Sequence, residues 1–215
     1  MRVKQLVKIY ETLYDYFGDL HWWPGETPFE IAVGAILTQN TNWRNVETAI
    51  DRIKSADLLD PMSLYLAEDA VVADLIRSSG YYNIKTKRLK AFLSFLHQEY
   101  AGSLDKMFCE ELWTLRKKLL DVKGIGDETA DSILLYSGNM PVFVVDAYTR
   151  RILERHGIVT ADWSYDEIQA LFMGTVPQDI SFYNQYHALL VNTGKHFCRP
   201  TPLCDRCPLV SLKLS

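Results

Sequence analysis

Long apolar runs are missing from this 215-residue chain. No stretch reaches the roughly eighteen consecutive apolar residues that a membrane-spanning helix requires, which excludes a helical membrane protein. The first residues, Met1-Arg2-Val3-Lys4-Gln5, contain no apolar segment of the kind that opens a secretory signal. The expectation is a soluble cytoplasmic protein, nucleoid-associated if bacterial, with no membrane partner. A basic surplus is missing too: 23 Lys and Arg against 27 Asp and Glu leave a net charge of −4, which weighs against a phosphate-binding surface unless positive charge is gathered locally. Cysteines number four, and without a secretory signal they do not read as a disulfide framework. Strand patterns are nearly absent, since only Val142–Val145 qualifies and it is too short and isolated to support a sheet. There is also no low-complexity linker and no internal repeat.

What is present is helical spacing and ample apolar content. At 48% hydrophobic, the chain can bury one large core or two small ones. Leu6, Ile9, Leu13 and Phe17 fall at helical intervals, with Gly18 placed to end that helix. Val46, Ile50 and Ile53 form a second stripe after the capping residues Thr41 and Asn42. Leu89, Phe92, Leu93 and Leu96 make a third, ending near Gly102. Leu112, Leu115, Leu119 and Leu120 lead into a glycine turn, with Ile133, Leu134 and Ser137 beyond it. Ser164-Tyr-Asp-Glu167 reads as a capping box for a helix through Phe172. The fold class is all-α. Two local basic clusters stand out, Lys85, Lys87, Arg88 and Lys90 and then Arg150, Arg151 and Arg155, each either a phosphate-facing patch or a solvated helix face.

The densest chemistry lies between Asp121 and Asp146. Gly124-Ile-Gly126 joins two helical patterns and opens a new helix at Asp127, so successive backbone N–H groups point where an anion can sit. No P-loop lysine and no preceding strand accompany the turn, which argues against a nucleoside triphosphate site. A helix-hairpin-helix of this kind grips a nucleic-acid phosphate through amides and reads no sequence. Asp146 follows twenty residues after Gly126. By itself Asp146 reads as a helix N-cap, which contributes roughly 1 kcal/mol; that position also keeps a carboxylate ionised.

With the hairpin, Phe29–Thr41, Gly80-Tyr81-Tyr82-Asn83, Val145-Asp146 and the segment His187–Cys207 in this order, the chain resembles the endonuclease III superfamily of DNA glycosylases over nearly its whole length. The resemblance implies two helical lobes with a DNA-binding cleft between them: residues 27–139 as a six-helix lobe carrying the hairpin, and 1–26 with 140–215 as the second. It implies double-stranded DNA with a damaged base as partner and a monomer as the working form. Asp146 takes the place of the catalytic carboxylate, which stabilises positive charge on the sugar or activates water as the N-glycosidic bond breaks. Lys123, Gly124, Gly126, Asp127, Glu128 and Thr129 take the DNA-binding positions of the hairpin. Gln39 matches the residue that fills the gap left by the flipped nucleotide, and Tyr81 the residue that wedges against the opposite strand. As plain structural residues, Gln39 would cap a helix and Tyr81 would pack.

Glu128 decides the subclass. Members that also cleave the strand carry a lysine there, whose amine forms a Schiff base; a carboxylate cannot, so the expectation is a glycosylase that uses water. His21-Trp22-Trp23-Pro24 and Gln39-Asn40-Thr41-Asn42-Trp43 supply indoles that either pack in the core or stack on an extruded base, and a cationic alkylated purine stacks well on indole. This element resembles the 3-methyladenine glycosylase branch, by which Trp22, Pro24, Trp43 and Lys195 would line the base pocket. Cys198, Cys204 and Cys207 have metal-ligand spacing that suits iron–sulfur or zinc. The family pattern binds a [4Fe–4S] cluster through four cysteines; here the first loop is one residue short, and Lys213 stands at the fourth position, with Cys109 remote. Three readings therefore remain: an alkylated-purine glycosylase, an oxidised-pyrimidine or mismatch glycosylase, and a non-catalytic hairpin protein.

Overall fold

The computed structural model describes residues 2–22 and 25–212, excluding the side chains of residues 2 and 3. Among the described residues the protein is helical and contains no strand. Its chain divides into two compact units, Met1–Trp22 with Pro141–Ser215, and Trp23–Met140.

The first helix, α1 (Arg2–Phe17), belongs to the unit built from both ends of the chain. Leu6, Ile9 and Leu13 are fully buried along one face, each stabilising by roughly 1.5–3 kcal/mol. Gly18, at φ +71°, ends the helix by donating its N–H to the Tyr14 carbonyl at 2.8 Å, a left-handed cap that favours glycine.

The central unit holds α2 (Pro28–Leu37), α3 (Trp43–Ser55), α4 (Pro61–Leu66), α5 (Asp69–Leu75), α6 (Tyr82–Tyr100), α7 (Leu104–Met107), α8 (Leu112–Leu120) and α9 (Asp127–Ser132). A π-helical turn, Ile133–Ser137, continues α9. The nearly all-apolar α2, buried from Phe29 to Leu37 except Ile31, is the hub against which α3, α6, α9 and the π turn pack. Thr27 caps it through the Glu30 N–H, and Asn42 caps α3 through the Asn45 N–H. The short helices α4 and α5 lean on α6.

The chain then returns to the first unit through the fully buried Val142, Phe143 and Val144, followed by α10 (Ala147–Arg155), α11 (Tyr165–Met173) and α12 (Ile180–His196). Ser164 and Glu167 form the expected capping box of α11. Phe143 stacks on Phe172 with ring centroids 3.9 Å apart, and the Tyr186 hydroxyl donates to the Leu6 carbonyl at 2.7 Å. Packed against both α1 and α10, α12 forms the spine of this unit. Gly194 allows the close approach to α10: a Cβ there would lie 2.2 Å from the Tyr148 ring.

Candidate active site

Asp146 caps α10, its Oδ1 accepting the Thr149 N–H at 2.7 Å. Its other oxygen, Oδ2, faces the His187 Nε2 at 3.7 Å from α12; the two side chains are 11% and 6% exposed. Burial pushes the Asp146 carboxyl up, but the His187 imidazole and the Thr149 amide and hydroxyl outweigh it, and the net shift is downward. The carboxylate is thus held ionised in a largely water-excluded position, where its charge is little screened.

Two turns beyond His187 on α12, Lys195 places its ammonium 5.2 Å from the centre of the Trp22 ring. Desolvation beside that ring lowers the Lys195 pKa, and the Asp146 charge partly restores it. The Trp22 indole N–H is buried and meets no hydrogen-bond acceptor among the described residues. Asp146, His187, Lys195 and Trp22 therefore belong to one unit. His187 is the residue that sequence reasoning passed over as a site. A histidine on an apolar helical face usually reads as a core residue; its only signal was sharing a helix face with Lys195.

The other predicted residues lie in the central unit. Gly124, at φ +93°, turns the chain between α8 and α9, a conformation that favours glycine; a Cβ there would sit 2.4 Å from the Arg88 Cγ. Gly126 is the N-cap residue of α9, whose first amides have no intrahelical acceptor. Asp127 and Glu128 occupy the first turn of that helix, and Lys123 is exposed just before the bend. Arg116 of α8 clamps the hairpin from behind, giving Nε to Asp131 Oδ1 at 2.8 Å and Nη2 to Asp131 Oδ2 at 3.1 Å and to Asp127 Oδ1 at 3.0 Å. Gln39 is docked on the bend, donating to the Gly124 carbonyl at 3.1 Å and the Thr129 hydroxyl at 2.9 Å while accepting from Arg88. Tyr81, at φ +45°, opens α6 and is 68% exposed. Trp43 starts α3, its indole donating to Glu47 at 2.8 Å. Pro24 lies outside the described residues.

The two basic clusters are largely spent inside the protein. Lys85, only 1% exposed, donates to the Leu37 and Ser79 carbonyls, Lys90 donates to those of Leu64, Tyr65 and Ala67, and Arg88 holds Gln39. Arg150 donates to the Trp163 carbonyl, Arg151 to that of Cys198, and Arg155 to the Cys198 sulfur at 3.3 Å. Buried carbonyls at helix ends need donors, and long cationic side chains supply them.

The cysteine segment follows α12. Cys198 is buried, Cys207 half-buried and Cys204 exposed, all as free thiols. Burial and the neighbouring Cys198 and Cys204 push the Cys207 thiol up, against the Leu209 amide. Cys109 belongs to the other unit, Lys213 lies outside the described residues, and no described group of three or more Cys, His, Asp or Glu gathers as a metal-binding set. The described donors thus fall short of a four-thiolate site.

Comparison with known proteins adds independent findings. The model of the HhH-GPD superfamily base excision DNA repair proteins matches residues 33–178. A candidate DNA repair glycosylase of Methanocaldococcus jannaschii is 45% identical over 216 residues, covering 100% of this chain and 98% of the relative. The structure of a Helicobacter pylori 3-methyladenine DNA glycosylase bound to 1,N6-ethenoadenine superposes with a TM-score of 0.74 at 28% identity, covering 90% of this chain and 97% of that one. A non-covalent endonuclease III–DNA complex shares the fold at TM-score 0.84 and 22% identity, with 98% and 94% covered.

Proposed function

Since the chain belongs to the HhH-GPD superfamily of base excision DNA repair proteins, we propose that it is a monofunctional DNA glycosylase which hydrolyses the N-glycosidic bond of a flipped, damaged base, with alkylated purines as the substrate class. The carrying observation is Asp146, held ionised between the start of α10 and the His187 imidazole. Such a carboxylate faces the positive charge that develops on the sugar and either stabilises it or takes a proton from attacking water. Gly124, Gly126, Thr129 and the flanking Lys123, Asp127 and Glu128 form the phosphate grip, an arrangement that positions DNA through backbone amides. Glu128 supplies no amine, so the strand stays intact after base release.

Support for the purine class comes from Trp22 and Lys195. An indole face suits a flat purine, and the buried indole N–H, which meets no acceptor among the described residues, can donate to one. The related H. pylori enzyme is named for 3-methyladenine and was captured with another alkylated adenine, 1,N6-ethenoadenine. Trp43 and Pro24 remain proposed base-contacting residues by resemblance alone. Gln39 fills the gap left by the extruded base, and exposed Tyr81 wedges the opposite strand. The spacing of Cys198, Cys204 and Cys207 keeps a [4Fe–4S] cluster as a proposed cofactor on the strength of the resemblance alone, its fourth ligand unassigned; the glycosidic step needs none of these residues. The working form is a monomer on double-stranded DNA.

Duplexes carrying 3-methyladenine, thymine glycol, or adenine opposite 8-oxoguanine separate the readings. The proposal expects base release from the first alone, with no strand nicking and no borohydride-trapped adduct. Release of thymine glycol with a trapped adduct would replace it by an oxidised-pyrimidine lyase.

A further inference from the structure

The two oxygens of Asp146 are not equivalent. Oδ1 is committed to the Thr149 N–H at 2.7 Å, which fixes the start of α10. Oδ2 is the oxygen available for chemistry, and the group facing it is the buried imidazole of His187 at 3.7 Å. That imidazole is carried by α12, a different helix, whose approach to α10 is set by Gly194 against Tyr148. A buried ring delivered by a second, closely packed helix has little freedom to turn away. An unopposed buried carboxylate protonates, because desolvation disfavours its charge; a protonated Asp146 could neither stabilise a sugar cation nor accept a proton from water.

We propose that His187 is a positioning residue for the glycosylase reaction, holding Asp146 Oδ2 ionised and aimed at the scissile sugar while touching no substrate itself. This rests on the reading of Asp146 given above. Beside the carboxylate, the Tyr165 hydroxyl of α11 accepts the Val145 N–H at 3.2 Å. Thr149 is on the helix that Asp146 caps, and His187 and Lys195 face Asp146 from α12. The ionisable side chains of α1 that meet α12 are aromatic: Tyr10 stacks on Phe182 and edges Tyr186, whose hydroxyl is itself bound to the Leu6 carbonyl. Both tyrosines are pushed by burial above their ordinary range, so they stay neutral where the reaction runs. His187 is therefore the nearest group able to offset the burial of Oδ2, with Lys195 acting from a greater distance along the helix.

Two measurements test this on the full-length protein, with His187→Leu and the closer-sized His187→Gln. The first is carbon-detected titration of the Asp146 carboxyl, which requires no activity. The second is the pH profile of single-turnover release of 3-methyladenine. His187→Leu is expected to raise the Asp146 pKa by about one unit or more and to move the acid limb of the profile upward by the same amount, leaving affinity for undamaged duplex unchanged. His187→Gln, which keeps a donor, is expected to recover part of the rate at neutral pH. An unmoved carboxyl titration in both variants overturns the inference. So does a shifted titration with an unshifted limb, which would show that the His187 effect on the carboxyl does not govern the reaction. If wild-type protein releases no base from any duplex, the functional reading falls and the positioning role falls with it, whatever the titration shows.

Discussion

Replacing Arg116 with Met should unlock the hairpin. Arg116 bridges α8 and α9 through a two-point contact with Asp131, whose side chain is fully buried, while its own is 11% exposed. Its further bond to Asp127 involves a carboxylate 44% exposed, so that contact adds only about 0–1 kcal/mol. The large cost is leaving Asp131 in the interior without its guanidinium, roughly 3–5 kcal/mol for a broken buried pair. For a chain of this size each kcal/mol moves the midpoint by about 2–4 °C, so Arg116→Met should lower Tm by roughly 6–20 °C. Urea unfolding followed by circular dichroism reads the free energy directly. The double variant Arg116→Met, Asp131→Leu removes both charges, and a buried pair exchanged for apolar groups is often neutral. It should be more stable than Arg116→Met alone. A single-variant loss below about 1 kcal/mol, or a double variant no better than the single, would refute the claim that this pair locks the turn.

Other perturbations follow the same logic. Gly124→Ala places a Cβ on a left-handed residue and against Arg88, costing about 1–2 kcal/mol of strain; anisotropy with undamaged duplex should show weakened binding, while unchanged affinity would remove the bend from the DNA grip. Lys85, whose pKa burial lowers to about 8, holds fewer protons folded than unfolded. Wild type should therefore gain stability over Lys85→Met as pH rises from about 8 towards the ordinary lysine value near 10.4, and a difference constant with pH would contradict that sign. Iron analysis and the visible thiolate-to-iron band test the proposed cluster: signal lost in Cys204→Ser would support it, while iron-free protein of full activity would show that protein contacts, among them those of Arg151 and Arg155, suffice to hold the loop.

Much of the helical skeleton was legible because its signals are local. Gly18 ends α1, Asn42 caps α3, and the Ser164–Glu167 box starts α11, each through a bond made within a few residues. The short helices α4, α5 and α7 span too few residues to show a period, and α2 hides its face by being apolar nearly all round. Charge patterns misled more than apolar ones. Lys85, Arg88 and Lys90 lie together in sequence, yet each is drawn to a different internal acceptor. The pairing of Asp146 with His187 was not legible, because forty-one residues separate them and only the packing of α12 on α10 brings them together.

The most direct test compares wild type with Asp146→Asn on one duplex containing 3-methyladenine, measuring binding and single-turnover base release side by side. Asparagine keeps the size and the cap acceptor but carries no charge, so the account predicts wild-type affinity with base release reduced by roughly a thousandfold or more, as when a principal charge-stabilising group is removed. Release by Asp146→Asn within a few-fold of wild type would contradict it.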